Sequence, residues 1–184
     1  MSRSGRREWI LETQAHGTVV EVLGVGTFLV GPSGIGKSEC ALELVTRGHR
    51  LVADDVVRIR RSADGLLVAR APELIRYYLE IRGLGLLSVP ELFGEGSVRE
   101  ETELALVCRL ERWREDVEYE RVGIDRPTEE ILGVALPSLL LPLRPAGSMA
   151  TLVEVAVRDL LRRRAGSNAA RTLDQRIRGS GAAR

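Results

Sequence analysis

The sequence predicts one α/β domain, and three observations predict it. Apolar segments at 17–23 (GTVVEVL) and 27–30 (TFLV) lead into a glycine-rich stretch at 31–38, after which Cys40, Ala41, Leu44 and Val45 recur at helical spacing. Further short strand patterns then alternate with loops up to a second amphipathic helix at 149–164, MATLVEVAVRDLLRRR. The chain has 184 residues, 44% hydrophobic and 29% charged, which suffices to bury a core without disulfide or metal staples.

The elements follow in order. Residues 1–13 are rich in arginine and read as a leader before a folded domain over 14–178. Gly24 and Gly26 flank Val25 in a hairpin-like turn between the first two strands. The helix opening at Ser38 stops at Gly48, and residues 50–53 (RLVA) form a short buried strand that runs into Asp54-Asp55. Residues 56–60 and 66–70 read as a hairpin about Asp64-Gly65. A helix or loop leads to the glycine-rich, apolar stretch 78–94, and 102–110 (TELALVCRL) is a strand. The apolar stretch 131–143 is expected to break at Pro137, Pro142 and Pro145. The helix over 149–164 ends in a basic run, Arg162–Arg164, which reads as a solvated helix end that complements the dipole. A frayed tail is expected from Gly179.

Composition narrows the function. A net charge of +1 and 4% aromatic residues remove both the electrostatic attraction and the stacking platforms of a dedicated nucleic-acid binder. No apolar run reaches membrane-spanning length, and the N-terminus carries no export-type apolar region, so a soluble cytoplasmic protein without a membrane partner is expected. Cys40 and Cys108 lie far apart on apolar faces and read as small core side chains, and His49 reads as a helix-end residue.

Of the 27 basic residues, all but Lys37 are arginine. A lysine that survives alone points to a place where a compact ammonium is needed and a guanidinium fork does not fit. Its neighbours agree. Gly31-Pro32-Ser33-Gly34-Ile35-Gly36-Lys37-Ser38 matches G-x-x-x-x-G-K-[ST] at every required position, with a strand before it and a helix after it. The glycines let successive backbone N–H groups turn inward on phosphate oxygens, and the helix adds its positive end. Lys37 would reach the β- and γ-phosphates and the Ser38 hydroxyl would meet Mg²⁺. This pattern specifies nucleoside triphosphate binding and leaves the reaction open.

Asp54 and Asp55 stand at the end of the next strand, where a metal carboxylate is expected in such sheets. Adjacent residues of an extended chain point in different directions, so one can face the metal and the other accept a proton from an incoming hydroxyl. The other reading of either one alone is a turn-forming aspartate. Glu80, with Arg82 beside it and apolar flanks, is a further carboxylate candidate, and His16 precedes the first strand.

Together these segments resemble HPr kinase/phosphorylase, the bacterial enzyme acting on a serine of the phosphocarrier protein HPr. The residues that carry the resemblance are His16-Gly17, GPSGIGKSE at 31–39, RGHRLVADDVV at 47–57, LEIRGLGLLSV at 79–89, LFGEGSVREET at 93–102 and NAARTL at 168–173. The resemblance implies a P-loop kinase catalytic domain of the phosphoenolpyruvate carboxykinase type, with a mixed sheet and flanking helices. It implies nucleotide (ATP) binding by Gly31 to Ser38, Mg²⁺ held by Ser38 and Glu80, and Asp55 as the base that deprotonates the substrate serine. In reverse, Asp55 would protonate the leaving serine while inorganic phosphate attacks, giving pyrophosphate. His16, Lys37 and Arg121 would complete the catalytic set, and a homo-oligomer, a hexamer, is implied.

Two departures accompany the likeness. About fifteen residues precede His16, where family members commonly carry an extra domain. In PLRPAGSMA at 142–150 the family's glycine-arginine-asparagine is replaced by Ala146-Gly147-Ser148, which removes a bidentate phosphate ligand and predicts weakened phosphorylase activity beside an intact kinase. Two other readings are a P-loop kinase for another protein or a small alcohol, and a non-catalytic nucleotide-binding regulator.

Overall fold

The strand β9 (Glu101–Arg112) is the axis around which the sheet is built. Its residues 104–108 are buried without interruption, the pattern of a strand covered on both faces. The computed structural model describes residues 7–120, 123–144 and 147–181. On one side β9 pairs in parallel with β3 (Val25–Val30), which pairs with β2 (Thr18–Val22), and that in turn with β4 (Arg50–Ala53), both antiparallel. On its other side the sheet forks. The first residues of β9 pair with β6 (Leu67–Arg70), and its last six run parallel to β11 (Val134–Leu143). β6 continues through β5 (Val56–Ser62) to β1 (Trp9–His16), while β11 pairs with β10 (Thr128–Ile131). Among the described residues this makes one nine-stranded mixed sheet.

A two-stranded sheet of β7 (Tyr78–Ile81) and β8 (Gly85–Ser88) stands apart, followed by the short helix α2 (Val89–Phe93). The helices α1 (Lys37–Thr46) and α3 (Met149–Arg164) cover one face of the main sheet. Cys40, Ala41, Leu44 and Val45 of α1 and Val153, Ala156, Val157 and Leu160 of α3 form one core with Leu29, Leu106 and Leu110. A second core, with Phe28, Val57, Ile59, Leu67, Ala69 and Val107, lies where β5 and β6 curl against the opposite face. Burial pushes the thiols of Cys40 and Cys108 up to about 12, so both are inert packing groups, as their apolar faces predict.

The predicted strands at 17–23, 27–30, 50–53 and 102–110, the hairpin about Asp64-Gly65 and both long helices are present. Four features differ. Residues 9–13, read as leader, lie in β1, whose ladder with β5 runs from Trp9 to His16. Its side chains are mostly exposed, so backbone pairing and the stacking of Arg60 on Trp9 hold it without an apolar alternation to announce it. The stretch 131–143 does not break: β11 passes through Pro137 and Pro142, each of which lies beside only one partner strand, β10 or β9, so its other side needs no ladder donor. Asn168 accepts from the Arg171 amide at 3.1 Å and caps a helix, α4 (Ala169–Gly181), that carries NAARTL. Of the tail read as frayed, Gly179–Gly181 continue α4, and 182–184 lie outside the described residues.

Gly26 sets the closeness of β3 to β9, since a β-carbon there would fall onto the carbonyl oxygen of Glu103. Gly26→Ala is expected to destabilise the chain by at least about 2 kcal/mol in urea unfolding, in the range of overpacked cores. Gly65→Ala at the hairpin tip, where nothing crowds the added carbon, serves as the comparison and bears only the left-handed backbone cost.

Candidate functional site

The site forms where β3 ends. Gly31, Gly34 and Gly36 all take positive φ (150°, 74° and 100°), so the loop curls back above the start of α1. Gly31 must also lack a side chain because a β-carbon would strike the Leu110 carbonyl of β9. Ile35 is buried in the core beneath, which anchors the loop from below while its backbone faces outward. The Lys37 ammonium folds over the loop and donates to the carbonyls of Gly31 and Pro32 at 2.9 and 3.1 Å.

Asp54, at the end of β4, is buried to 7% exposure. Its carboxylate accepts from the Thr18 hydroxyl at 2.7 Å and from the Ser38 hydroxyl at 2.9–3.0 Å. Burial raises its pKa, and the hydrogen bonds from Thr18 and Ser38 and the backbone amides of Glu80 and Asp55 oppose that rise. Asp55 turns the other way. It adopts a left-handed backbone at φ 63°, and the Val56 amide donates to the Asp54 carbonyl at 2.8 Å across the turn. The Gly17 amide donates to the Asp55 carbonyl at 3.1 Å, which joins this turn to the end of β1. The Asp55 carboxylate therefore lies 3.6 Å from Nδ1 of His16, with both side chains about four-fifths exposed.

These groups share one cavity of about 440 Å³, lined by His16, Thr18, the phosphate loop, Asp54, Asp55, Glu80 and Arg82. Of the predicted residues, His16, Lys37, Ser38, Asp55 and Glu80 thus come together with Gly31, Ser33, Gly34 and Gly36, while Pro32 and Ile35 belong to the loop without lining the cavity. Arg121 lies outside the described residues. Three lining residues, Thr18, Glu39 and Arg82, were not among those predicted for the site. Thr18 looks like an ordinary residue of the buried strand TVVEV, and only its pairing with a residue 36 positions away identifies it. Arg82 is visible as the arginine of an E-x-R pair, but the fold alone reveals that its guanidinium lies against Gly34 of the loop.

Of the altered loop, Ala146 lies outside the described residues, and Ser148 does not line the cavity. The Ser148 hydroxyl accepts from the Thr151 amide at 3.1 Å, capping α3, and donates to Glu43 at 2.8 Å. Arg47 donates to Ser148 and Thr151 and pairs with Glu43 and Glu154. Glu43 and Arg47 lie five and nine residues beyond Ser38, about 7.5 and 13.5 Å down the axis of α1 at 1.5 Å per residue. Arg144, the basic residue retained in this loop, stacks on Trp113 at 3.9 Å.

A family model described as HPr Serine kinase C-terminal domain matches residues 8–177. The chain belongs to the HPr kinase/phosphorylase family. It is 49% identical over 172 residues to the HPr kinase/phosphorylase of Caldicellulosiruptor bescii, covering 91% of this chain and 55% of that protein. It is 45% identical over 167 residues to that of Leptospira biflexa, covering 90% and 52%. The chain thus spans about half the length of the curated relatives it matches. The solved structure of the Hpr(Ser) kinase/phosphatase from Coxiella burnetii superposes with a TM-score of 0.77 at 31% identity, covering 84% of this chain and 93% of that one. The fold is accordingly the HPr kinase form of the P-loop domain, a mixed sheet with flanking helices.

Thr18→Val keeps the shape of the side chain and removes the donor to Asp54. Leaving a buried carboxylate one hydrogen bond short is expected to cost about 1–3 kcal/mol in thermal or urea unfolding. Adding Asp54→Asn to it should recover part of that loss, and a strictly additive double variant would contradict the pairing.

Proposed function

We propose that the protein transfers the γ-phosphoryl group of ATP to a serine of HPr or a paralogue. The single observation that carries this reading is the division of labour between adjacent aspartates across one cavity: Asp54 on Ser38 of the phosphate loop, Asp55 on His16 at the open rim. The names of the relatives, all HPr kinase/phosphorylase, supply the acceptor. In this reading Asp54 belongs to the metal side and Asp55 to the acceptor side.

The donor set fits Mg²⁺. Ser38, Asp54 and Glu80 offer oxygen ligands only, and Mg²⁺ takes one or two carboxylates with phosphate oxygens and water. Among the described residues no group of three or more His, Cys, Asp or Glu is assembled into a metal cage, so Ser38, Asp54 and Glu80 would share the ion with the nucleotide. When bound, Mg²⁺ neutralises charge on the β- and γ-phosphates. The chain does the rest: loop amides and Lys37 hold the phosphates, and Arg82 and Arg121 stabilise charge on the transferring group. The Asp55 carboxylate takes the proton of the serine hydroxyl as the serine oxygen bonds to the γ-phosphorus and the bond to ADP breaks. His16, 3.6 Å away, holds that carboxylate towards the acceptor. The exposure of both groups suits a base that must meet a protein-borne hydroxyl rather than a small enclosed substrate.

The reverse reaction, attack of inorganic phosphate on phosphoserine to give pyrophosphate, is proposed to be the weaker one. Ala146-Gly147-Ser148 supply no guanidinium, and Ser148 is engaged in capping α3 and binding Glu43. A cytoplasmic homo-oligomer, a hexamer, completes the reading. Exposed Leu74, Leu84, Leu86 and Leu92 around the β7–β8 sheet fit burial in such an assembly.

Intact-mass spectrometry of HPr after incubation with the protein, Mg²⁺ and ATP should reveal one added phosphoryl group, absent with Lys37→Ala. Excess phosphate added afterwards should leave most of the phosphoserine in place, and its rapid removal would sink the weakened reverse reaction. Asp55→Asn is expected to slow transfer about 10²- to 10⁴-fold with ATP affinity unchanged. Loss of ATP affinity instead would move Asp55 to the metal side.

A further inference from the structure

The phosphate site has no place for a nucleoside. Its cavity is lined by groups that handle phosphate, metal or an incoming hydroxyl, and no apolar side chain is among them. A purine needs a concave, largely apolar slot with an aromatic face and a few polar groups at its edge. With the γ-phosphate beside Asp54 and Asp55 at the end of β4, the strand order β4-β2-β3-β9 leaves β9 and its neighbour β11 on the far side of the phosphate loop. A triphosphate laid across the loop carries its nucleoside end that way.

A cavity of about 880 Å³, twice the volume of the phosphate site, lies on that side between β11, α3 and the segment 113–127. β9 leads to it. A β-carbon on Gly31 would meet the Leu110 carbonyl at 2.4 Å, and the ladder continues to Trp113, whose amide donates to the Leu143 carbonyl at 3.0 Å. Three residues at about 3.3 Å each put Trp113 about 10 Å beyond the root of the phosphate loop, within reach of a triphosphate chain. Trp113 and Tyr119, half-buried with ring centroids 4.7 Å apart, line the cavity together with Leu141 and Pro142. Over 139–143 β11 pairs with β9, and among the described residues no other strand borders its far edge, which leaves backbone groups there for a ligand. The charge is wrong for an anion. Glu115, Glu118, Glu120, Asp125 and Asp159 outnumber the lining arginines, and those are engaged, Arg126 and Arg163 on Asp159 and Arg144 on Trp113. Such carboxylates accept from hydroxyls and amines, the donors that a ribose and a base carry. Tyr119, Glu120 and Gly123 also flank Arg121 in sequence, so the segment that the kinase reading places on the transferring group borders this cavity too.

We propose that this cavity holds the base and ribose of the nucleotide whose phosphates the 31–38 loop binds, with the base stacked against the Trp113–Tyr119 pair and its edge turned to β11. The proposal rests on the kinase reading above and deepens it by giving the nucleoside a site of its own. Stacking on an aromatic side chain uses the π-face of the base, and a bare polyphosphate has nothing to place there. The cavity therefore adds affinity for ATP and none for inorganic tripolyphosphate.

The test begins with the unaltered protein. Illumination of its Mg²⁺ complex with 8-azido-ATP, followed by proteolysis and mass spectrometry, should place the adduct within 113–127 or 139–144, and excess ATP should abolish it. Equilibrium binding then compares Trp113→Ala and Tyr119→Ala with wild type, with melting temperature as the folding control. Each variant is expected to bind ATP roughly tenfold more weakly and tripolyphosphate within about twofold of wild type. An adduct elsewhere in the chain overturns the nucleoside site and leaves the kinase reading intact. So does an equal loss of affinity for ATP and tripolyphosphate, or an unchanged affinity for both. Failure of the wild type to bind ATP at all overturns the kinase reading and this site with it.

Discussion

A carboxylate taken out of water must be given hydrogen bonds or lose its charge, and Asp54 organises the site by meeting that demand from four directions. Thr18 reaches it from β2 and Ser38 from the head of α1, while the amides of Glu80 and Asp55 come from β7 and the turn itself. Each of these segments belongs to a different part of the chain. The requirement that one buried acid stay satisfied therefore fixes the phosphate loop, the small β7–β8 sheet and the catalytic turn relative to one another.

The turn at Asp55 follows from that arrangement. With Asp54 held inward, the chain kinks over one residue as it passes from β4 into β5, strands that run antiparallel to β2 and β1. Asp55 takes a left-handed conformation that few side chains other than asparagine and aspartate tolerate. The outcome is a second carboxylate at the open rim, beside the last residue of β1. Two identical side chains, adjacent in sequence, thus acquire opposite environments and so different chemistry, the general condition for separating a metal ligand from a base.

Much of this was legible in the residues. The glycine loop, the helix face of Cys40, Ala41, Leu44 and Val45, and the strand running into Asp54-Asp55 all carry local signals, because phosphate loops and amphipathic helices are determined by neighbours a few positions apart. What was not legible depends on long-range pairing. Thr18 is chemically unremarked until β2 is laid beside β4, and Arg82 until β7 is brought over the loop. β1 escaped notice because its side chains are mostly exposed, and a strand held chiefly by backbone bonds leaves no clear apolar period. Pro137 and Pro142 misled for the converse reason: their penalty depends on whether a second strand needs the missing donor, and each lies beside one partner strand only.

The near-absence of lysine now has a physical reading. Arginine suits sites where a planar fork meets a carboxylate or an aromatic face, and this chain uses it so: Arg60 on Trp9, Arg144 on Trp113, Arg126 and Arg163 on Asp159, Arg47 between Glu43 and Glu154. Lys37 is the exception: its ammonium folds back over a tight loop and contacts two carbonyls of that loop at once. A flat guanidinium with fixed donor directions cannot do this without opening the loop.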